Sequence, residues 1–323
     1  GGDVRVGATA KVEVPGMASF HASPGPSPCK VAVFVPEKKG KPASVRIYHQ
    51  GAWGAPVCSK SFFRAQDVEV KWDPKGQAVL VMTHTDVDST NQSYYGSTGL
   101  YMLRADGEFD CVVPQSKEGP IYDVQWNPSG KGFAVAAGTM PAQTTLYNLR
   151  CEPMFEFGEA HRNNISWSPH GRFLCLAGFG NLAGDMDFWD INKKKMMGTN
   201  TCHCAVGFGW APDSRYFMAS TLTPRMNVDN GIKIFKYNGI GPVIEKAEDQ
   251  LFQADWVPAA AGVYPDRPQS PRPKGEKAEE ANAGGSAPST SGSPAVKPKA
   301  YRPPHATGSL SALMRAERDG GSG

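Results

Sequence analysis

The chain has 323 residues, 40% of them hydrophobic and 20% charged, with 34 Lys and Arg against 31 Asp and Glu. That is enough for one large globular domain or two ordinary ones, and it excludes a chain disordered throughout. No stretch approaches the roughly 18 consecutive apolar residues of a membrane-spanning helix, which excludes a helical membrane protein.

The start, GGDVRVGATA, has neither an initiator Met nor a basic run followed by an apolar block. No secretory signal is visible, and the chain reads as cytosolic with an abrupt N-terminus. Seven cysteines, odd in number and irregularly spaced, read as reduced and mostly buried thiols. Cys202-His203-Cys204 lacks the ligand spacing and the second pair of a metal site, so these side chains are expected in and beside a strand.

From Phe20 onward one unit recurs: an apolar residue, any residue, Trp, any residue, Pro, and usually Gly soon after. A divergent first copy, FHASPG, is followed by VKWDPKG from Val70, VQWNPSG from Val124, ISWSPHG from Ile165, FGWAPDS from Phe208 and ADWVPA from Ala254. Pro24, Pro74, Pro128, Pro169, Pro212 and Pro258 are separated by 50, 54, 41, 43 and 46 residues, the lengths of propeller blades. Within a copy the period is 2, as in Val68, Val70 and Trp72, and the Pro-x-Gly step then reverses the chain. Continuous apolar runs follow (AVLVM, FAVAA, FLCLA, YFMAS), as expected for a second strand covered on both faces. TTLYNL, MDFWDI and IKIFKY supply third strands, and PMFEF is a shorter fourth. One such sheet cannot bury both faces, so neighbours must stack.

The expected architecture is therefore all-β, a WD40-like β-propeller with about five four-stranded blades followed by a disordered tail. Trp72, Trp126, Trp167, Trp210 and Trp256 mark the inner strands, and Trp189-Asp190 is the WD dipeptide on a third strand. A lone sixth inner strand is expected at Leu251 to Pro258. Either it joins strands from Val4 to Val14 to close the ring, or further blades precede this chain.

The expected boundaries are 1–16 for a strand of a preceding blade or a closing strand, and 17–258 for the propeller. Residues 259–308 form a disordered Pro/Ser/Ala/Gly-rich linker, and 309–323 a short helix and flexible end. Between Pro265 and Ala300 only Val296 belongs to the Val, Ile, Leu, Met and aromatic set, too little to offset the entropy of ordering. Ser309 to Arg318 offers the short helix, with Ser309 as N-cap and Leu310, Leu313 and Met314 on one side. Residues 1–258 carry 25 basic and 25 acidic side chains, and residues 259–323 carry 9 and 6, so the excess of +3 lies in the tail. A neutral body argues against broad, sequence-independent nucleic-acid binding, which needs many phosphate contacts.

No nucleophile elbow, His-Glu-x-x-His, Walker loop or dinucleotide fingerprint occurs, and the seven histidines are not spaced as ligands. Neither catalytic, cofactor-binding nor metal-binding residues are assigned. The long connections between second and third strands, and those leading into inner strands, share one face. They carry Tyr94, Tyr95, Met140, Arg162, Asn163, Asn181, Arg225 and Asn227, a mixture suited to protein or RNA contact. For Arg162 and Arg225 contact and structural hydrogen bonding weigh evenly. Asp86 and Asp88 read as turn residues, and Lys193-Lys194-Lys195 as a solvated hairpin tip on the opposite face.

SPGPSPCKVAVFVP, TDVDSTNQSYYG, GPIYDVQWNPSG, PRMNVDNGIKIF and above all SPHGRFLCLAGFGNLAGDMDFWD resemble the eukaryotic translation initiation factor 2A family. The resemblance runs from about Ser23 to Pro265 and resumes at AYRPP (Ala300 to Pro304). The related propeller found in a large subunit of eukaryotic initiation factor 3 is a more distant fit. The resemblance implies a non-catalytic cytoplasmic factor that associates with the small ribosomal subunit and promotes GTP-independent delivery of initiator methionyl-tRNA on selected messages. mRNA and other initiation factors are further partners it allows, with no role for DNA or membrane. It also implies blades before this chain begins and basic helices after it ends. The alternative reading is a general WD-repeat interaction scaffold with a proline-rich recruiting tail.

Overall fold

The structure, a computed structural model, describes residues 11–25, 28–38, 40–63, 65–85, 97–260 and 262–269. Among the described residues, twenty strands form five four-stranded sheets, each a simple antiparallel meander in chain order. The first contains β1 (Ser19–Ala22), β2 (Lys30–Val35), β3 (Ala43–His49) and β4 (Cys58–Phe62). The second contains β5 (Asp67–Trp72), β6 (Ala78–Thr85), β7 (Ser97–Arg104) and β8 (Asp110–Val112). The third runs through β9 (Ile121–Trp126), β10 (Gly132–Ala137), β11 (Ala142–Asn148) and β12 (Pro153–Ala160). The fourth has β13 (Asn164–Trp167), β14 (Phe173–Ala177), β15 (Asp185–Asp190) and β16 (Lys195–Thr201). The fifth has β17 (Gly207–Trp210), β18 (Tyr216–Thr221), β19 (Gly231–Lys236) and β20 (Ile244–Ala247).

The all-β reading and the five repeats hold, and the continuous apolar runs are the second strands. Every residue of β10 and β14 is buried, because a neighbouring sheet lies against each face. Apolar clusters join the sheets in consecutive pairs. Phe34, Val45 and Ile47 of the first meet Val68, Val79 and Val81 of the second. Leu80 and Met102 meet Trp126 and Phe133 of the third. Ala134 and Ala136 meet Leu174 and Leu176 of the fourth, and Phe173 and Phe188 meet Trp210 and Phe217 of the fifth. Among the described residues no buried cluster joins the fifth sheet to the first.

The recurring Trp links each sheet to the one before it. The indole Nε1–H of Trp72 donates to the His21 carbonyl (3.0 Å), that of Trp126 to Lys71 (2.8 Å), and that of Trp167 to Gln125 (3.2 Å). Trp210 donates to Ser166 (2.9 Å) and Trp256 to Gly209 (3.1 Å). Each acceptor immediately precedes the Trp position of the previous copy, and His21 precedes Ala22, which stands at that position in the divergent first copy. A buried indole N–H needs a partner, and this one fixes inter-sheet register.

The residues after the Trp set the turn. Pro74, Pro128, Pro169 and Pro212 occupy the second position of four-residue turns closed by the N–H of Gly76, Gly130, Gly171 or Ser214. Those closing residues have φ of 63°, 70°, 70° and 59°, the left-handed region, so Gly recurs there and Ser214 is the exception. Asp73 Oδ1 accepts the Ala78 N–H (2.8 Å) and Ser168 Oγ that of Phe173 (2.9 Å), so the residue between Trp and Pro caps the hairpin.

Leu251 to Pro258, expected as a sixth inner strand, forms no strand. Its Leu251 carbonyl accepts from Thr223 N (2.8 Å) and its Trp256 occupies the repeat's usual bond, but no second strand among the described residues pairs with it. The Val4 to Val14 segment lies largely outside the described residues. Its described part does not form a strand: Val12 and Val14 instead line an apolar groove of about 260 Å³ on the uncovered face of the first sheet, with Phe20, Val33, Tyr48 and Trp53.

The Trp126 bond can be tested by denaturant unfolding. Trp126→Phe keeps most of the apolar volume but removes the inter-sheet bond to the Lys71 carbonyl, at an expected cost of about 1 kcal/mol. Trp126→Ala adds a cavity and is expected to cost about 3–5 kcal/mol.

Candidate functional site

In each antiparallel meander, the turns joining first to second and third to fourth strands emerge on one face, here the turn face. Connections from second to third strands and from sheet to sheet emerge on the other, the loop face. The loop face holds those residues singled out from the sequence that the structure describes. Of these, Tyr94 and Tyr95 lie outside the described residues, as do Asp86 and Asp88.

Arg162 is buried (9% exposed) rather than displayed. Its Nε and Nη2 donate to the two carboxylate oxygens of Asp187, both at 2.9 Å, and Nη1 lies 3.5 Å from Asp185. Burial pulls this guanidinium's pKa down, but the hydrogen bonds and charge of Asp187 outweigh it and raise the pKa above its ordinary value. Of the two readings open for Arg162, hydrogen bonding within the fold is what the geometry displays. Asn163 is also turned inward: its amide donates to the Phe179 carbonyl (3.0 Å) and accepts the Phe179 N–H (2.9 Å), pinning the Gly178 to Gly184 connection.

Arg225 and Asn181 are exposed and meet each other. Arg225 Nη2 donates to Asn181 Oδ1 (2.8 Å), bridging the connections of the fourth and fifth sheets. Asn227 is exposed nearby in sequence, and Met140 is half-buried in the β10–β11 connection. Two organising residues escape sequence reasoning. Asn230, 3% exposed, donates to the Met226 carbonyl (2.9 Å) and accepts from Thr223 Oγ1 (2.7 Å) and Leu251 N (3.1 Å), holding that long loop from within. Asp123 accepts from Ile165 N of the next sheet (2.8 Å) and faces Lys71 Nζ of the previous one (3.4 Å). The Asn-Gly pair ending the loop was the signal for Asn230. Asp123 had none, because its partners lie 52 and 42 residues away.

On the turn face the chain carries a strap. His170 Nε2 donates to the Tyr264 carbonyl (2.8 Å), while its Nδ1 lies 2.6 Å from Ser214 Oγ. A carbonyl can only accept, so Nε2 carries the proton. Arg215, 9% exposed, donates through Nη2 to the carbonyls of Arg267 and Pro268 (2.6 Å to the latter) and lies 5.2 Å from the Tyr237 ring centroid. Arg267 in turn lies 3.7 Å from Asp213. The linker expected from Ala259 thus begins with residues held against the fourth and fifth sheets. Residues 270–323, including the expected short helix, lie outside the described residues.

Trp189 stands apart from the inner-strand tryptophans, packing edge-on against Phe155 and Phe157 of the third sheet at 5.9 and 5.1 Å. Asp190 is fully buried, paired with Arg172 (3.2 Å), and accepts the Asn192 N–H at the hairpin turn (3.1 Å). Burial and the neighbouring Cys111 push the Cys151 thiol up to about 12, and burial above all raises the Cys175 thiol well beyond its ordinary value. His203 Nδ1 bonds the Ala183 carbonyl (2.8 Å), with Cys202 buried and Cys204 exposed. Among the described residues no group of three or more His, Cys, Asp or Glu could hold a metal ion.

Four-stranded meanders sharing cores in consecutive pairs are propeller blades, and what such a protein offers a partner is its two faces. The model of the family "Eukaryotic translation initiation factor eIF2A" matches residues 60–254. Eukaryotic translation initiation factor 2A of Dictyostelium discoideum is 44% identical over 258 residues, 79% of this chain and 42% of that protein. Its Schizosaccharomyces pombe counterpart is 39% identical over 310 residues, 95% of this chain and 53% of that protein. A solved structure described as the crystal structure of the eukaryotic initiation factor superposes with a TM-score of 0.69 at 36% identity, covering 77% of this chain and 59% of that one. The chain belongs to the eukaryotic translation initiation factor eIF2A family, and it spans about half the length of these relatives.

Three outcomes follow from the side-chain environments. Arg162→Ala leaves Asp187 without its partner and is expected to destabilise the fold by about 3 kcal/mol in denaturant titrations. Arg225→Ala, with an exposed partner, should cost no more than about 0.5 kcal/mol. In alkylation at neutral pH followed by peptide mapping, exposed Cys204 should be modified in the native protein, and Cys151 and Cys175 only after unfolding.

Proposed function

We infer that this chain is the propeller part of a non-catalytic, cytoplasmic initiation factor. It associates with the small ribosomal subunit and promotes GTP-independent delivery of initiator methionyl-tRNA on selected messages. The observation that carries this reading is the family match, which spans four of the five sheets and includes their long connections. Within the matched span lies GFGNLAGD (Gly178 to Asp185), a connection that Asn163 pins and that Arg225 meets through Asn181. The exposed members of the loop face, Asn181, Arg225 and Asn227 with the half-buried Met140, offer a surface of mixed polarity suited to a protein partner. The absence of a Walker loop from the sequence agrees with a factor that does not itself bind GTP.

A second reading, an interaction scaffold with a proline-rich recruiting tail, draws on the strap. The turn face holds an extended segment containing Pro265 and Pro268 through its carbonyls, a mode of recognition that extended proline-containing peptides share.

Sedimentation with purified small ribosomal subunits, with and without initiator tRNA, separates the two. The initiation-factor reading expects saturable co-sedimentation that persists at moderate salt and weakens several-fold in Arg225→Ala. A folded chain that does not co-sediment at either salt overturns it and leaves the scaffold.

A further inference from the structure

Charge balance conceals an asymmetry between the two faces of the third, fourth and fifth sheets. Among the described residues, the Lys and Arg side chains of the loop face are engaged. Lys117 Nζ bonds Glu159 (2.7 Å) and the Pro141 carbonyl (2.8 Å), Arg162 is held by Asp187, and Arg225 by Asn181. Glu118, Asp229 and Asp249 are exposed on the same side, so that face is acidic.

The turn face is the reverse. Lys131, Arg150, Lys193, Lys194, Lys195 and Lys236 are all exposed in turns or at the strand ends flanking them. Fewer carboxylates lie there: Asp190 is paired with Arg172, Asp213 faces Arg267, Glu152 accepts from the Asn148 amide (2.7 Å), and Asp266 of the strap is exposed. Lys194 is partly engaged, with Nζ 3.1 Å from the Met154 carbonyl and 5.8 Å from the Phe155 ring centroid, which fixes the hairpin that carries its neighbours.

The repeat makes this a row rather than a scatter. Arg150, the Lys193 to Lys195 run and Lys236 occupy the same place in three successive sheets, the turn between third and fourth strands. Stacked sheets lie about 10 Å apart, so the row extends over about 20 Å. Pro268 of the strap is held on this same face by Arg215.

We propose that the turn face of the third to fifth sheets binds the phosphate backbone of RNA, and that the loop face does not. This rests on the initiation-factor reading for its biological setting, but the charge geometry stands separately from it. Exposed cationic side chains at repeated positions, more numerous among the described residues than the carboxylates beside them, suit phosphates read without sequence preference. The acidic loop face repels them. Sequence reasoning read the three lysines as a solvated tip because charge was counted along the chain, where the body sums to zero, and not by face.

The test uses the full chain and two probes: a fluorescein-labelled single-stranded RNA of mixed sequence, and purified small ribosomal subunits. Lys131→Gln, Arg150→Gln, Lys195→Gln and Lys236→Gln are combined, since exposed substitutions leave the fold intact, as circular dichroism checks. The expected result is RNA affinity at least about tenfold weaker at low salt. The slope of log affinity against log salt should be shallower by up to about 3, from four lost contacts at roughly 0.7 each. Lys117→Gln on the loop face is expected to change neither.

RNA binding equal to that of the unaltered chain in the fourfold variant overturns the proposal, as does an equal loss in Lys117→Gln. If subunit co-sedimentation falls while binding to RNA alone is unchanged, the face reads an acidic protein surface, which also overturns it. Failure of the unaltered chain to co-sediment refutes the initiation-factor reading instead, and the RNA titration still decides the assignment of the face.

Discussion

One hydrogen bond sets the geometry of this protein: the indole N–H of each inner-strand Trp donates to a carbonyl one residue before the Trp position of the preceding sheet. From His21 to Gly209 the acceptor advances one repeat at a time. The indole is large enough to fill the space between two sheets, and its single donor must be satisfied there, so both packing and register are specified by one side chain. Everything attached to the inner strands inherits that register. The Pro-containing turns of the second to fifth sheets fall on one face and the long connections on the other, because the sheets cannot slide relative to one another without stranding the indole donor.

That regularity explains why chemically different surfaces arise from a body with no net charge. Loop-face connections are long and reach their neighbours, so their cations find carboxylates or amides: Lys117 meets Glu159, and Arg225 meets Asn181. Tight turns reach little, so a lysine placed there, such as Lys131 or Lys236, remains in solvent. Between adjacent turns, His170, hydrogen-bonded to Ser214, and Arg215 meet the carbonyls of the strap. Two faces, one whose cations are paired within the fold and one whose cations face solvent, therefore follow from connection length.

Much of the fold was legible because its determinants are local. A period of 2, an apolar run and a Pro-x-Gly reversal all lie within about fifteen residues, and they mark the second strands β6, β10, β14 and β18 correctly. Leu251 to Pro258 carries the inner-strand Trp-x-Pro signal without forming a strand, since a strand requires a hydrogen-bonded neighbour that local pattern cannot supply. The candidate surface was legible only in part. Arg162 and Arg225 look alike in sequence, both in polar loops, yet one is buried against Asp187 and the other exposed beside Asn181. The strap gave only a faint signal, Tyr264 and Arg267 at the edge of a low-complexity segment.

The sequence by itself determined the repeat, its length, the strands within it and the residues that must be buried, because each is written in spacing and polarity between near neighbours. Tertiary structure alone decided which charges are neutralised within the fold and which face solvent. Ion pairs such as Lys71 with Asp123, and clamps such as Arg215 with Pro268, join residues 52 and 53 positions apart. Whether a side chain finds such a partner depends on how sheets stack, and no window of sequence contains that distance.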